Sequence, residues 1–295
     1  MARLVGLQAQ TPNAPYIGLW TRLYGFARAD LADLIAQREV VRATLLRSTL
    51  HLTTAADYLL FRPALQPALT RALHATFRQR ARQLDLGRLL PAALSYLEAA
   101  PRRLTALRVW SAELMPTEDA EAMVSAVARA YLPLVQVFPG GVWGRATGAY
   151  APAESWLGAA LAALEEGVRQ LILRHLAAFG PASVADVEQW SGLRQLGRPL
   201  AALGPALREF RDERGVALFD LPDAPRLPAT TPAPPRFLPE YDNLLLAHVD
   251  RTRVVADEQR PRIFLSARGF ARHSWSMASC AALGASSAAT ARSPS

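Results

Sequence analysis

Two glutamines one residue apart, Gln8 and Gln10, stand in the apolar run Leu4-Val5-Gly6-Leu7-Gln8-Ala9-Gln10. Side chains of a strand alternate with period two, so on a strand both would lie on one face. A primary amide offers a carbonyl acceptor and two N–H donors but is a poor base. Such a pair can hold a water or another polar group, and it can equally make structural hydrogen bonds. Metal and thiol chemistry find no matching pattern. The histidines, His51, His74, His175, His248 and His273, show no His-Glu-x-x-His spacing. The single cysteine, Cys280, rules out a disulfide framework or a cysteine-based zinc site within one chain. We expect no metal and no cofactor. The basic residues suggest a different chemistry. All 33 are arginine, the formal net charge is +8 and the sequence pI is about 10.4. An excess of this size favours polyanions such as nucleic acid or acidic lipid, and arginine binds phosphate bidentately. A generic basic surface, with GC-rich coding behind the arginine bias, is the plain alternative.

Several elements must position these side chains. Thr11-Pro12-Asn13-Ala14-Pro15 breaks the chain after the glutamines. Tyr16, Leu19, Trp20 and Leu23 follow at helical spacing, and residues 30–38 read as a second short helix. Residues 40–53 are β-branched and partly alternating, which predicts one or two strands around Arg47-Ser48-Thr49-Leu50-His51, with Thr54 capping a helix from Ala55. Residues 63–131 read as several helices punctuated by Pro91, Pro101 and Pro116, with Thr117 the expected cap of one of them. Val135 to Gly144 reads as a strand, a tight turn at Gly140-Gly141 and a second strand. Trp20, Trp110, Trp156 and Trp190 fall on apolar helical faces and are expected in the core.

Glu165 to Phe179 is an amphipathic helix stopped by Gly180-Pro181. Ser183-Val184-Ala185-Asp186 is a capping box opening a helix to Trp190, and Gly192 is the glycine expected after a helix end. Pro199 to Phe210 reads as a third helix and Val216 to Phe219 as a strand. Helix, helix, turn, helix and β-wing in about 60 residues is the winged helix-turn-helix plan; another small α+β module is the alternative. Asp220 to Pro235 is a proline-rich linker, and Phe237 onward opens another module with His248, Asp250, Arg251 and Arg253 clustered. From about Arg272 the chain is Ala, Ser and Arg without period, and disorder is expected there. The expected fold is α+β, mainly helical, with tandem winged helix-turn-helix modules: a first with a helical insertion over 1–160, a second over 161–225, a partial third over 226–270, and a tail over 271–295. The 295 residues, 51% hydrophobic, suffice for such cores. With no signal-like h-region and no long uncharged apolar stretch, a cytoplasmic chain without membrane association is expected.

Five phrases occur in order: Leu4 to Gln10; Arg47-Ser48-Thr49-Leu50-His51-Leu52; Val135-Gln136-Val137 with Trp143-Gly144; Phe237-Leu238-Pro239-Glu240-Tyr241-Asp242-Asn243-Leu244-Leu245-Leu246; and Asp250-Arg251. Each alone is common, but the ordered set resembles the AlkZ/YcaQ-type winged-helix DNA glycosylases over roughly residues 3–268. The resemblance implies three winged-helix modules around a concave basic cleft for duplex DNA. It implies excision of alkylated purines, including those tethered in interstrand crosslinks. It also implies a Gln-x-Gln motif at Gln8 and Gln10 that positions the attacking water. Candidate DNA contacts are Arg47 and His51, at the cleft or merely at a strand end, and Arg145, on phosphate or merely solvated. Asp242 is another, in an Asp-Asn pair that is also an ordinary cap, together with His248 and Arg251.

The chemistry suits such mild side chains. An N-alkylated purine is already cationic and leaves readily, so the protein needs to orient water and place amide dipoles near an oxocarbenium-like sugar. The expected partner is double-stranded DNA carrying alkylated bases. With no heptad or other dimerisation segment, a monomer is expected. Family members carry a helical segment before the Gln-x-Gln phrase, so the true start is expected upstream or the first module is incomplete. Residues from about 266 onward resemble a wrong frame. Shifting a back-translation by two bases permits Leu-Val-Asp-Gly-Phe-Val-Arg-Gly-Thr-Trp, which would leave the third module truncated. The alternatives are a non-catalytic winged-helix regulator and an inactive truncated paralogue.

Overall fold

A computed structural model describes residues 1–228, 230–232, 234–263 and 277–278. Most of the 271–295 tail, with the proposed frame shift, therefore lies outside the described residues. The chain divides into two compact units, one of Met1–Tyr16 with Phe26–Val168, the other of Ile17–Gly25 with the described residues after Val168.

The first unit is built on a five-stranded antiparallel sheet. Its strands are β1 (Leu7–Gln8), β2 (Val40–Thr44), β3 (Leu50–Thr54), β4 (Leu134–Gln136) and β5 (Tyr150–Pro152), in the order β1-β3-β2-β4-β5. β2 is central and all five of its residues are buried. Its β-branched Val-Val start suits that position, whereas its third residue, Arg42, does not. Gln8 pairs with His51 across β1 and β3, and Arg42 pairs with Leu52 on one side and Gln136 on the other. Before the central strand lie α1 (Ala14–Trp20) and α2 (Arg28–Ala36). After β3 the chain turns directly into α3 (Ala55–Ala64), where Thr54 Oγ1 accepts the Asp57 N–H at 3.1 Å, as its capping role predicts.

A helical layer follows: α4 (Gln66–Phe77), α5 (Gln79–Arg82), α6 (Leu86–Ala99), α7 (Leu104–Leu114) and α8 (Ala120–Ser125), the last continued by a π-helical turn over Ala126–Tyr131. Leu73, Leu89, Ala93, Leu97, Leu107, Met123 and Val127 form its core, flanked by Tyr96 and Trp110 stacked at 4.7 Å. α8 is capped by Asp119, whose carboxylate accepts the Ala122 N–H at 2.7 Å, and not by Thr117. A carboxylate suits the positive end of the helix better than a hydroxyl does. After β5 come α9 (Ala153–Leu157) and α10 (Leu164–Phe179).

The second unit continues α10 with α11 (Val184–Ser191) and α12 (Gly197–Ala201), then a hairpin of β6 (Arg208–Arg211) and β7 (Ala217–Asp220). The Ser183–Asp186 capping box and the left-handed Gly192 (φ 83°) stand as the sequence implies. The helix expected over 199–210 is only one turn long; Gly204-Pro205 breaks it and Phe210 belongs to a strand. Phe219 also bridges back to Ala182. Trp190 is fully buried against His175, at 5.0 Å, and Phe179, at 6.1 Å. Further on, β8 (Arg236–Phe237) pairs with β9 (Met277–Ala278), and α13 (Asn243–Leu246) and α14 (Arg260–Ile263) enclose a small cluster of Leu238, Leu245, Val255 and Ile263. Of the other tryptophans placed in the core, Trp110 and Trp156 are half-buried and Trp20 is 57% exposed. α1 is two turns long and buries Tyr16 and Leu19, which leaves Trp20, a third of a turn further round, outside.

Candidate active site

The glutamine motif lies at the edge strand of the first unit. Gln8 ends β1, and its neighbour Ala9 still donates to the Leu50 carbonyl at 2.7 Å. The Gln8 side chain is buried, and its Oε1 has no hydrogen-bond partner among the described residues. Gln10 is exposed, with its Oε1 accepting the Leu50 N–H at 3.3 Å. His51, directly opposite Gln8, is fully buried. Its Nδ1 lies 2.9 Å from the Thr49 carbonyl; a carbonyl only accepts, so Nδ1 carries the proton and Nε2 is a bare acceptor. That Nε2 also lacks a partner among the described residues. Directly opposed residues of an antiparallel pair share a face, so the two side chains that carry these buried acceptors lie on the same side of the sheet.

Burial, then the Arg47 charge, pushes the His51 imidazole down to about 3, against a smaller opposing effect of its bond to Thr49. The ring is therefore neutral at any ordinary pH. Arg47 is half-buried in the β2–β3 turn with its Nη2 shielded from solvent, and desolvation lowers its pKa to about 10. Arg47 and Ser48 both adopt left-handed backbone, at φ 53° and 58°. Two consecutive non-glycine residues there cost about 1–2 kcal/mol each, strain of a kind that concentrates at functional sites.

Arg42 organises the surroundings. It is 1% exposed, and its Nε and Nη2 both donate to the Ala9 carbonyl, at 3.1 and 2.7 Å, between the two glutamines. Nη1 donates to Gln136 Oε1 at 2.8 Å and to the Ala146 carbonyl at 2.6 Å. Gln136 Nε2 in turn donates to the Tyr150 hydroxyl at 2.6 Å. One guanidinium thus ties the motif, β4 and the β4–β5 loop together. Burial lowers its pKa, and Tyr150 partly opposes the shift.

The loop differs from the expected tight hairpin. Its second strand begins at Tyr150, and Val142 to Gly144 form no strand. Trp143 is instead an anchor: its ring meets Tyr16 edge-on at 5.5 Å under the Arg28 guanidinium, and its backbone N–H donates to the Tyr16 hydroxyl at 3.1 Å. Gly144 N–H donates to Asn13 Oδ1 at 2.7 Å. These contacts outweigh strand pairing and fix the loop beside the motif. Between loop and motif lies a cavity of about 250 Å³ walled by Gln10, Ser48, Gln136 and Tyr150, and on its far side by Arg103 and Arg129.

Of the residues singled out from the sequence, Gln8, Gln10, Arg47, His51 and Arg145 belong to this unit; Arg145 is exposed on the loop. Asp242, His248 and Arg251 belong to the other. Both Asp242 oxygens accept from Arg22, at 2.7 and 2.9 Å, and one also caps α13 through the Leu244 N–H. His248 is buried, with Nδ1 3.3 Å from Arg253 Nη1 and 3.7 Å from Asp186. Burial alone would raise the Asp186 carboxyl, but the neighbouring His248 and hydrogen bonds from the Val249 N–H and Ser183 outweigh it and hold it well below the usual range. Arg251 is half-buried, and burial lowers its pKa. Sequence reasoning missed Arg42, Gln136, Arg103 and Arg129. The signal for Arg42 was a charged residue in the middle of a β-branched strand. Among the described residues no three His, Cys, Asp or Glu side chains converge as a metal site would require, and no helix is long and apolar enough to cross a membrane.

A search of curated proteins finds no match. Among solved structures the chain is similar to Streptomyces sahachiroi DNA glycosylase AlkZ, with TM-score 0.67 and 22% identity over 91% of this chain and 76% of that one. The likeness shows a shared fold. The family model described as DNA glycosylase AlkZ-like matches residues 1–272, most of the chain and the whole of the site just described. With the glutamine pair, its arginine tether and its cavity all inside that match, the chain belongs to the AlkZ-like DNA glycosylase family.

Proposed function

We propose that this chain is a DNA glycosylase that hydrolyses the N-glycosidic bond of alkylated purines in duplex DNA, including bases held in interstrand crosslinks, with Gln8 and Gln10 positioning the water. The observation that carries the reading is that Gln8 and His51 face each other across β1 and β3, each with a buried acceptor that has no donor among the described residues, while Gln10 two residues on walls a cavity. Buried polar atoms in folded proteins are nearly always satisfied, and a water's two O–H donors are what a pair of acceptors requires. Neither group is a competent base: an amide does not accept a proton at neutral pH, and the imidazole is held down to about 3. The site therefore works by orientation and dipole, which is enough when the leaving base is already cationic. Each tenfold of rate asks for only about 1.4 kcal/mol of differential stabilisation. Arg42 keeps the strand carrying both amides at a fixed depth through the Ala9 carbonyl.

In this reading α10, α11, α12 and the β6–β7 hairpin form a winged helix-turn-helix, whose wing presents Arg208, Arg211 and Arg214. The residues from 226 onward belong to a third such module. The protein acts as a monomer in the cytoplasm.

The test is release of free base from duplex containing N7-alkylguanine. Wild-type chain should release it with a nearly flat pH–rate profile about neutrality. Gln8→Ala and Gln10→Ala should each slow the single-turnover rate about a hundredfold while leaving duplex binding intact. Sequence-selective binding without base release would instead identify a regulator. Unchanged excision by the doubly substituted, folded protein would remove the glutamines from the mechanism.

A further inference from the structure

The cavity beside Gln10 has an electrostatic character that the glutamine chemistry does not use. Its far wall is Arg103, Leu104 and Thr105, at the start of α7, together with Arg129 and Ala146 to Gly148 of the β4–β5 loop. A second volume of about 550 Å³ shares Arg103 and residues 146–148 and adds Arg145. Among the described residues no aspartate or glutamate lines either one. The side chains of Arg103, Arg129 and Arg145 are exposed and make no hydrogen bond or ion pair with any described residue. Four other arginines of this unit are engaged: Arg42 and Arg62 on carbonyls, Arg80 and Arg108 on carboxylates. Like charges around a shared concavity repel, and an anion placed among them reverses the sign of the interaction. α7 adds to this. It runs for 11 residues and starts at Arg103 without a side-chain cap, so its first-turn N–H groups and the positive end of its dipole are open to the cavity.

We propose that this double cavity is a phosphate subsite, in which Arg103 and Arg129, with Arg145 in the adjoining volume, hold phosphodiesters of the DNA strand whose sugar is presented to Gln10. The inference rests on the nucleic-acid part of the proposed function and names the backbone contacts that fix the strand. Phosphate contacts set register without reading bases, which suits an enzyme that must find a lesion in any sequence.

The test is equilibrium binding of the full chain to an unmodified fluorescent duplex over a salt series, so it does not depend on base release. The variants are Arg103→Gln with Arg129→Gln, Arg145→Gln alone, and Arg108→Gln as control; Arg108 is an exposed arginine on α7 paired with Glu121 at 2.8 Å. Each arginine that neutralises a phosphate contributes about one to the slope of log K against log salt. The double variant should lose about two from that slope and Arg145→Gln about one, while the control overlays wild type. A double variant with the wild-type slope, a control that loses as much, or a wild-type chain that does not bind duplex would each overturn the assignment. Glutamine substitutions at exposed positions leave the fold intact, which thermal melting checks. If wild type binds with the expected slope yet releases no alkylated base, the catalytic reading fails and the phosphate subsite stands.

Discussion

Replacing Arg42 with methionine tests the tether that the active-site geometry depends on. The substitution keeps an unbranched stem of similar reach but removes donors to three oxygens: Ala9 O, Gln136 Oε1 and Ala146 O. An acceptor left unsatisfied in the interior costs about 1–3 kcal/mol, so three set a ceiling of about 9 kcal/mol. Removing the guanidinium also removes its own burial penalty, visible in its lowered pKa, and partial relaxation of the β4–β5 loop lets water reach Ala146. The net loss should be about 3 kcal/mol. With m near 3 kcal/mol/M in urea for a chain of this size, the unfolding midpoint should fall by about 1 M without a change in slope. Catalysis should suffer more than stability. The Ala9 carbonyl lies between the two glutamines, and a misplacement of about 1 Å can cost about a hundredfold in rate. Single-turnover base release under conditions where the variant is fully folded measures that separately. Arg42→Lys should be intermediate, because one ammonium cannot span three acceptors arranged for a planar fork. If Arg42→Met unfolds at the wild-type urea concentration and excises at the wild-type rate, Arg42 does not hold the motif.

Three further outcomes follow from the same structure. Two buried histidines make stability fall with acid: His51 is depressed to about 3 and His175 to about 4, burial being the main cause for each. Their unfolded values lie near 6.5, so the unfolded chain binds protons the native state refuses. The stability these neutral rings provide is complete above about pH 6.5 and is lost as pH falls toward 4 and 3, at about 1.4 kcal/mol per pH unit for each ring. Urea midpoints between pH 7 and 5 that do not move would contradict this. Trp190→Ala should cost about 3–5 kcal/mol by emptying the centre of the second unit, where the ring is fully buried, and calorimetry should show the loss. Gly167→Ala inverts a normal rule. In an exposed helix it would stabilise by about 0.5–1 kcal/mol, but here the new methyl would sit 2.5 Å from the Leu60 carbonyl oxygen and 2.9 Å from Ala64 Cβ. A lowered melting temperature is expected, and a raised one would show that α3 and α10 are not in contact as described.

Local chemistry made part of this protein legible from its sequence. Thr54, the Ser183–Asp186 box and Gly192 are where they were read, because a cap is a contract between residues three or four apart and needs no distant partner. The ordered phrases identified the family for a similar reason: they are fixed by residue type and order. Tertiary structure decided the rest. Whether the short helix after Leu196 would run on to Phe210 depended on strand pairing with Ala217 to Asp220. Whether Trp143 would join a strand or anchor a loop depended on Tyr16, more than a hundred residues away. Periodicity would place Gln8 and Gln10 on one strand face, but the strand ends at Gln8. Only the packed sheet set Gln8 beneath the surface beside His51, put Gln10 at a cavity, and brought Arg42, Arg103 and Arg129 to the same place. A buried arginine is costly unless distant carbonyls converge on it, and no stretch of sequence records where those carbonyls will be.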